Sequence, residues 1–127
     1  AARRRELAAR YDKLLAGLNQ AIRPVRRMLD QSPVWHLYSV LIDFAAVGRD
    51  RAEVMRDLRQ RGIGTQVHYF PVHLQPYYRN RYGHDELPGA MSYYSRQLTL
   101  PLFPAMADGD VDRVVESLKE VLALSAA

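Results

Sequence analysis

Cysteine is absent from this 127-residue chain. Disulfides, thiolate nucleophiles and cysteine zinc sites are therefore excluded, and a reducing compartment fits. Lysine is nearly absent too: only Lys13 and Lys119 stand against 16 arginines. No run approaches the ~18 consecutive apolar residues of a membrane span. No secretory signal pattern opens the chain, which begins with two alanines and three arginines. There is no internal repeat and no low-complexity tract.

What is present is a globular composition, 48% hydrophobic and 25% charged, which argues against disorder and collagen-like repeats. The length suits one domain. The net charge is +4. Guanidinium forks suit phosphate oxygens, of nucleic acid or of a small ligand, but a mildly basic solvated face is the simpler reading.

Leu7, Tyr11, Leu14, Leu15 and Leu18 recur at helical spacing, with Arg4, Glu6, Arg10 and Lys13 opposite. No capping residue and no initiator methionine precede them, as expected of a piece of a longer protein. Gly17 and Asn19 mark the end of this helix, and Pro24 stops any continuation. Val34 to Asp43 reads as a strand, apolar on both faces and so an inner one. Asp50 and Glu53 form a capping-box-like pair before a second helix with Ala52, Val54, Met55 and Leu58 as apolar positions. Gly62 is placed to end it in a left-handed conformation. A short strand is expected over 64–70, closed by Pro71.

Residues 71–89 read as a long irregular connection, and a third helix is expected over 89–96. Gln97 to Leu102 reads as a buried strand stopped by Pro104. In the last helix Asp108 is expected as the cap and Asp110 in the first turn, followed by the stripe Val111, Val114, Val115, Leu118, Val121 and Leu122. Together these predict an α/β (α+β) fold: a short mixed, mainly antiparallel sheet of three to four strands covered by helices.

Seven of the 12 aromatic residues lie between Tyr69 and Tyr94, and His68, His73 and His84 fall in or beside that stretch. Tyrosine and histidine carry polar tips on apolar bodies, which suits a pocket for a sugar or a base. The same tyrosines also suit a thin core. His68 and His73 are too few for zinc, and the nearest carboxylates in sequence are Asp85 and Glu86, so no metal site is expected. His36, in an apolar strand, fits a hydrogen-bonded core position better than a catalytic one. No nucleophile elbow surrounds a serine, and no glycine-rich loop runs from strand to helix. A standalone nucleotide or single-stranded nucleic-acid binding module using the tyrosine-rich loop is the alternative from another class.

The segment GIGTQVHYFPVHLQPYYR, residues 62–79, resembles the DegT/StrS-type sugar aminotransferases, which use pyridoxal phosphate (PLP). Two further motifs agree in order: WHLY at 35–38, before an apolar strand, and YYSRQLTLPLFP at 93–104. The run from His68 to Tyr78 is most similar to the branch that serves pseudaminic acid biosynthesis. The resemblance implies that residues 1–127 are the small C-terminal domain of a fold type I aminotransferase. It implies a homodimer, cytoplasmic and without membrane or nucleic-acid partners, that moves an amino group, with glutamate as donor, to a UDP-linked 4-keto-6-deoxy sugar. A catalytically inactive homologue that keeps only the scaffold is a further expectation.

Under this resemblance His68, Tyr69, Phe70, Pro71, His73 and Gln75 face the nucleotide sugar, with Tyr77 and Tyr78 supporting the loop. PLP is expected on a large domain outside this sequence. Lys13 and Lys119 lie on the polar sides of amphipathic helices, where burial would be needed to activate an amine. No catalytic and no cofactor-binding residue is therefore expected in this chain, which alone should be inactive. Two positions depart from the family pattern: Met91 stands where an acidic residue is usual, and Phe70 where an aliphatic one is.

Overall fold

In the computed structural model, which describes residues 2–18, 20–25, 38–67 and 94–124, the first stripe forms helix α1 (Ala2–Ala16). Leu7, Ala8, Tyr11 and Leu15 are buried along one side. The chain then turns into a strand that the sequence reading lacked, β1 (Ile22–Pro24). Pro24 does not merely stop a helix; it closes an edge strand, where its missing N–H costs no ladder bond.

Strand β2 (Tyr38–Ile42) is the inner strand, as expected. It pairs antiparallel with β1, Ile22 opposite Ile42, and with β3 (Gln97–Leu100), Tyr38 opposite Leu100. The sheet thus has three antiparallel strands in the order β1-β2-β3. The expected strand bounds shift. Asp43 leaves the strand and caps a short helix, α2 (Phe44–Val47), by accepting from the Ala46 N–H at 3.1 Å. β3 stops at Leu100 rather than Leu102, because Pro101 has no N–H to offer. Of the strand expected over 64–70, the described part makes one antiparallel bridge, between Gln66 and Thr99.

Helix α3 (Arg51–Gln60) starts at Asp50, whose carboxylate accepts from the Glu53 N–H at 2.8 Å. That pairing holds Asp50 below its ordinary pKa, chiefly because the charged form accepts the backbone bond. Val54 and Leu58 are buried, whereas Ala52 faces solvent, contrary to its place among the expected apolar positions. The helix ends in a Schellman turn: Gly62 N–H reaches Arg59 O at 2.9 Å and Ile63 N–H reaches Leu58 O at 2.9 Å. Gly62 takes φ +81°, the left-handed conformation the sequence assigns to it.

Helix α4 (Asp108–Leu122) buries the whole predicted stripe from Val111 to Leu122. Its cap differs from expectation. Ala107 occupies the cap position and Asp108 is the first helical residue. Asp110 makes the reciprocal half of a capping box, its carboxylate taking the Ala107 N–H at 2.9 Å, while the Asp110 N–H donates to the Ala107 carbonyl at 3.0 Å.

The core lies between α1, α3 and α4 and the sheet face bearing Tyr38, Val40, Ile42, Leu98 and Leu100. Each fully buried leucine or valine there contributes roughly 1.5–3 kcal/mol of transfer free energy. Tyr11 and Tyr38 stack with centroids 4.5 Å apart, joining α1 to β2. Both hydroxyls are satisfied, Tyr11 donating to Pro101 O at 2.7 Å and Tyr38 to Asp12 Oδ1 at 2.5 Å.

Candidate functional site

The residues expected to face a sugar (His68, Tyr69, Phe70, Pro71, His73 and Gln75) lie outside the described residues, as do Tyr77, Tyr78, Trp35 and His36. The structure does describe how the chain enters and leaves that stretch. On the entry side, Gln66 is fixed to β3 by two bonds: its N–H donates to Thr99 O at 3.1 Å, and its carbonyl accepts from Thr99 N–H at 2.7 Å. On the exit side, residues 94–96 are helical and run directly into β3. Both flanks of 68–93 are therefore tied to the same short strand.

β3 owes this role to an unusual face. Its core-facing residues, Leu98 and Leu100, alternate with Gln97 and Thr99, which are also buried. Burial of such groups requires partners. Gln97 Nε2 donates to Ser39 Oγ at 3.1 Å and to Thr99 Oγ1, and the two hydroxyls of Ser39 and Thr99 lie 3.2 Å apart. The antiparallel register makes this possible, because Ser39 stands directly opposite Thr99.

Arg51, in the first turn of α3, completes the exit side. Its guanidinium donates to Tyr94 O, and to Gln97 O at 3.2 Å. It also lies over the Tyr94 ring, 4.9 Å from the centroid. Arg51 is aimed by Asp50, which caps α3, and by the preceding turn, in which Arg49 contacts Asp57 at 2.6 Å and Val121 O at 3.0 Å. Sequence reasoning passed over Arg51. The available signal was its place immediately after the cap residue Asp50, which fixes its direction.

A shallow, solvent-open cleft of about 620 Å³ lies beside this clamp, lined by Phe44, Ala45, Gly48, Arg49, Asp50, Arg51, Tyr94 and Ser95. Its walls come from α2, the start of α3 and the residues just before β3. Among the described residues no group of three histidines or carboxylates could hold a metal ion, and no helix is long and apolar enough to cross a membrane.

The arrangement of sheet, helices and flanking segments defines the class first: solved aminotransferases have this fold. Residues 1–119 match the DegT/DnrJ/EryC1/StrS aminotransferase family, and the chain belongs to that family. It is 40% identical over 123 residues to the spore coat polysaccharide biosynthesis protein SpsC of Bacillus subtilis, covering 94% of this chain and 31% of SpsC. Spr1654 of Streptococcus pneumoniae, solved in a PLP form, superposes with a TM-score of 0.78 at 28% identity, over 96% of this chain and 31% of that one. Helicobacter pylori PseC, an aminotransferase involved in pseudaminic acid biosynthesis, gives a TM-score of 0.82 over 96% of this chain and 32% of PseC. At 24% identity the likeness to PseC speaks for the fold alone. The chain spans about a third of the length of these relatives.

Members of this family are PLP-dependent aminotransferases. The two lysines of this chain do not fit the carbonyl-binding role that such a cofactor requires. Lys13 is exposed on α1, and Lys119, on α4, pairs with Glu116 at 3.5 Å.

Proposed function

We propose that residues 1–127 form the small C-terminal domain of a PLP-dependent sugar aminotransferase whose cofactor and Schiff-base lysine are held by polypeptide outside this sequence. The whole enzyme works as a cytoplasmic homodimer and moves an amino group from glutamate to C4 of a UDP-linked 4-keto-6-deoxy sugar. The specific product is UDP-4-amino-4,6-dideoxy-N-acetyl-β-L-altrosamine, the intermediate of pseudaminic acid assembly. The observation that carries the reading is the match of residues 1–119 to an aminotransferase family, in a chain whose two lysines both lie on helix surfaces.

In this reading the chain binds and orients the nucleotide sugar. His68, Tyr69, Phe70, Pro71, His73 and Gln75 line one wall of the sugar site. Imidazole and amide groups there donate to and accept from sugar hydroxyls and diphosphate oxygens. The small domain excludes water from that side and holds the ring against the reacting centre.

The test is to express the full-length parent and supply a UDP-4-keto-6-deoxy sugar, glutamate and PLP. Formation of a 4-amino sugar supports the proposal. No amino sugar with any such pair of substrates counts against it. His73→Ala should raise the KM for the sugar about tenfold while leaving the absorbance of bound PLP unchanged. An equal loss of PLP binding contradicts the role given to His73.

A further inference from the structure

Among the described residues, Phe103 is the one large apolar side chain left exposed, at 50%. It lines a cleft of about 360 Å³ between the turn after α3 and the first half of α4. Pro101 and the buried Ile63, Met106 and Val114 line the same cleft. Its two charged groups already have partners within the domain. The Asp110 carboxylate takes the Ala107 N–H at 2.9 Å, and the Arg113 guanidinium donates to Arg61 O. What the cleft still offers a partner is apolar.

A lone exposed apolar side chain is ordinary on a protein surface. Phe103 differs in how firmly its loop is held. Pro101 and Pro104 flank it, and each fixes its own φ. The Phe103 carbonyl accepts from the Met106 N–H at 3.0 Å, which closes a turn. Helix α1 then holds both ends of the loop: Tyr11 donates to Pro101 O at 2.7 Å, and Arg3 to Met106 O at 2.8 Å. A side chain presented on a backbone ordered in advance gives up little further entropy when it is covered.

Arg3 also reaches Asp108 at 3.0 Å, so the first turn of α1 lies beside this loop. The chain covers 31% of SpsC. If it is the C-terminal part, the larger part of the parent enters at that same turn. A segment tethered so close meets the cleft at an effective concentration of about millimolar. A separate partner needs roughly 1,000 Å² of interface for specific association, far more than one phenylalanine and a small cleft present.

We infer that the cleft beside Phe103 is an interdomain docking site, which takes an apolar side chain from the polypeptide preceding α1 in the full-length parent. This occupant depends on the C-terminal place proposed above for residues 1–127. Arg3 and Tyr11 tie the loop to α1, so the helix through which the rest of the enzyme enters also aims the surface on which it rests.

The test uses the full-length parent. With Phe103→p-benzoylphenylalanine, irradiation should give a product of unchanged chain mass on a denaturing gel. Peptide mapping should join position 103 to a segment upstream of α1. A link within 1–127, a link between two chains, or no link overturns the inference. A second variant, Phe103→Cys, reads the covering of the site without a photoreaction. Its alkylation by iodoacetamide, followed on the peptide that carries position 103, should be at least about tenfold slower in the folded parent than in denaturant. Folded and unfolded rates within about twofold overturn the inference. Neither readout depends on sugar turnover. A parent that aminates no sugar defeats the functional proposal and leaves the docking result to stand by itself, whereas a parent whose additional residues follow residue 127 defeats the C-terminal placement and the docking site together.

Discussion

Arg10 on α1 and Asp112 on α4 form a two-point ion pair, Nε to Oδ1 and Nη2 to Oδ2, each at 2.7 Å. The sequence pattern puts Arg10 on the polar side of its helix, and the structure turns that side toward another helix rather than toward open water. Arg3, further up α1, reaches Asp108 at 3.0 Å. A planar fork facing a planar carboxylate tolerates little sliding, so the pair sets how α1 lies along α4. Both side chains remain over a third exposed, so the pair aligns the helices more than it stabilises them.

The pH dependence of this pair has a definite sign. Its hydrogen bonds from Arg10 hold the Asp112 carboxyl below its ordinary value of 3.8. A depressed folded-state pKa gives stability that is complete above the ordinary value and is lost as the pH falls through the folded one. Asp112→Asn should therefore lower Tm near neutral pH, and the gap to the parent should close as the pH falls below the ordinary carboxylate range. Thermal unfolding from acid to neutral pH checks this; a gap independent of pH refutes it.

The buried tyrosine pair predicts two distinct losses. Tyr11→Phe keeps the ring stack but leaves the Pro101 carbonyl without its donor, costing about 1–2 kcal/mol. Tyr11→Ala also removes the stack on Tyr38 and opens a cavity, costing about 3–5 kcal/mol. Burial also pushes the Tyr11 phenol well above its ordinary value of 10.0. Its neutral form therefore stabilises the fold below that value, and the contribution fades as pH rises beyond it. Denaturant titration of both variants, with ultraviolet tyrosine titration of the parent, tests all three statements.

Backbone conformation gives a pair of opposite effects. A Cβ at Gly62 would sit 3.1 Å from the Arg113 guanidinium at φ +81°, so Gly62→Ala should cost about 1–2 kcal/mol. Gly64→Ala, with no atom within 4 Å, is the control. Ala123 ends α4 at φ 52°, so Ala123→Gly should raise stability by up to about 1 kcal/mol. Unfolding midpoints of the three variants decide the matter; equal shifts at Gly62 and Gly64 refute the backbone account.

The two lysines furnish a prediction about activity. The double variant Lys13→Arg, Lys119→Arg in the full-length parent should retain amino transfer within about twofold and keep the absorbance of bound PLP, because such surface changes perturb little. Loss of PLP absorbance in that variant contradicts the division of labour proposed for this chain.

The three long helices were legible because their stripes are long and regular, as in Val111 to Leu122. Asp50 and Gly62 were legible because capping and left-handed turns demand particular side chains. Strand β1 was not, since three residues carry no periodicity and Pro24 reads equally as a breaker or an edge. Helix α2 escaped for the same reason, although Asp43 and Gly48 bracket it as cap and left-handed stop. Asp108 was misplaced by one position because Asp110 caps from inside the helix. Of the candidate site, His68 to Gln75 was legible only through its motif; the direction of Arg51 could be read from its place after the cap Asp50, but its partners, 43 and 46 residues away, could not.

The amide and hydroxyls of Gln97, Ser39 and Thr99 also act as a key for threading the chain. Sliding β3 along β2 by a single position would thrust leucines among polar neighbours and strand an amide against hydrocarbon. Misaligned forms thus carry a penalty on both sides of the ribbon at once, and β2 and β3 have one register in which they close.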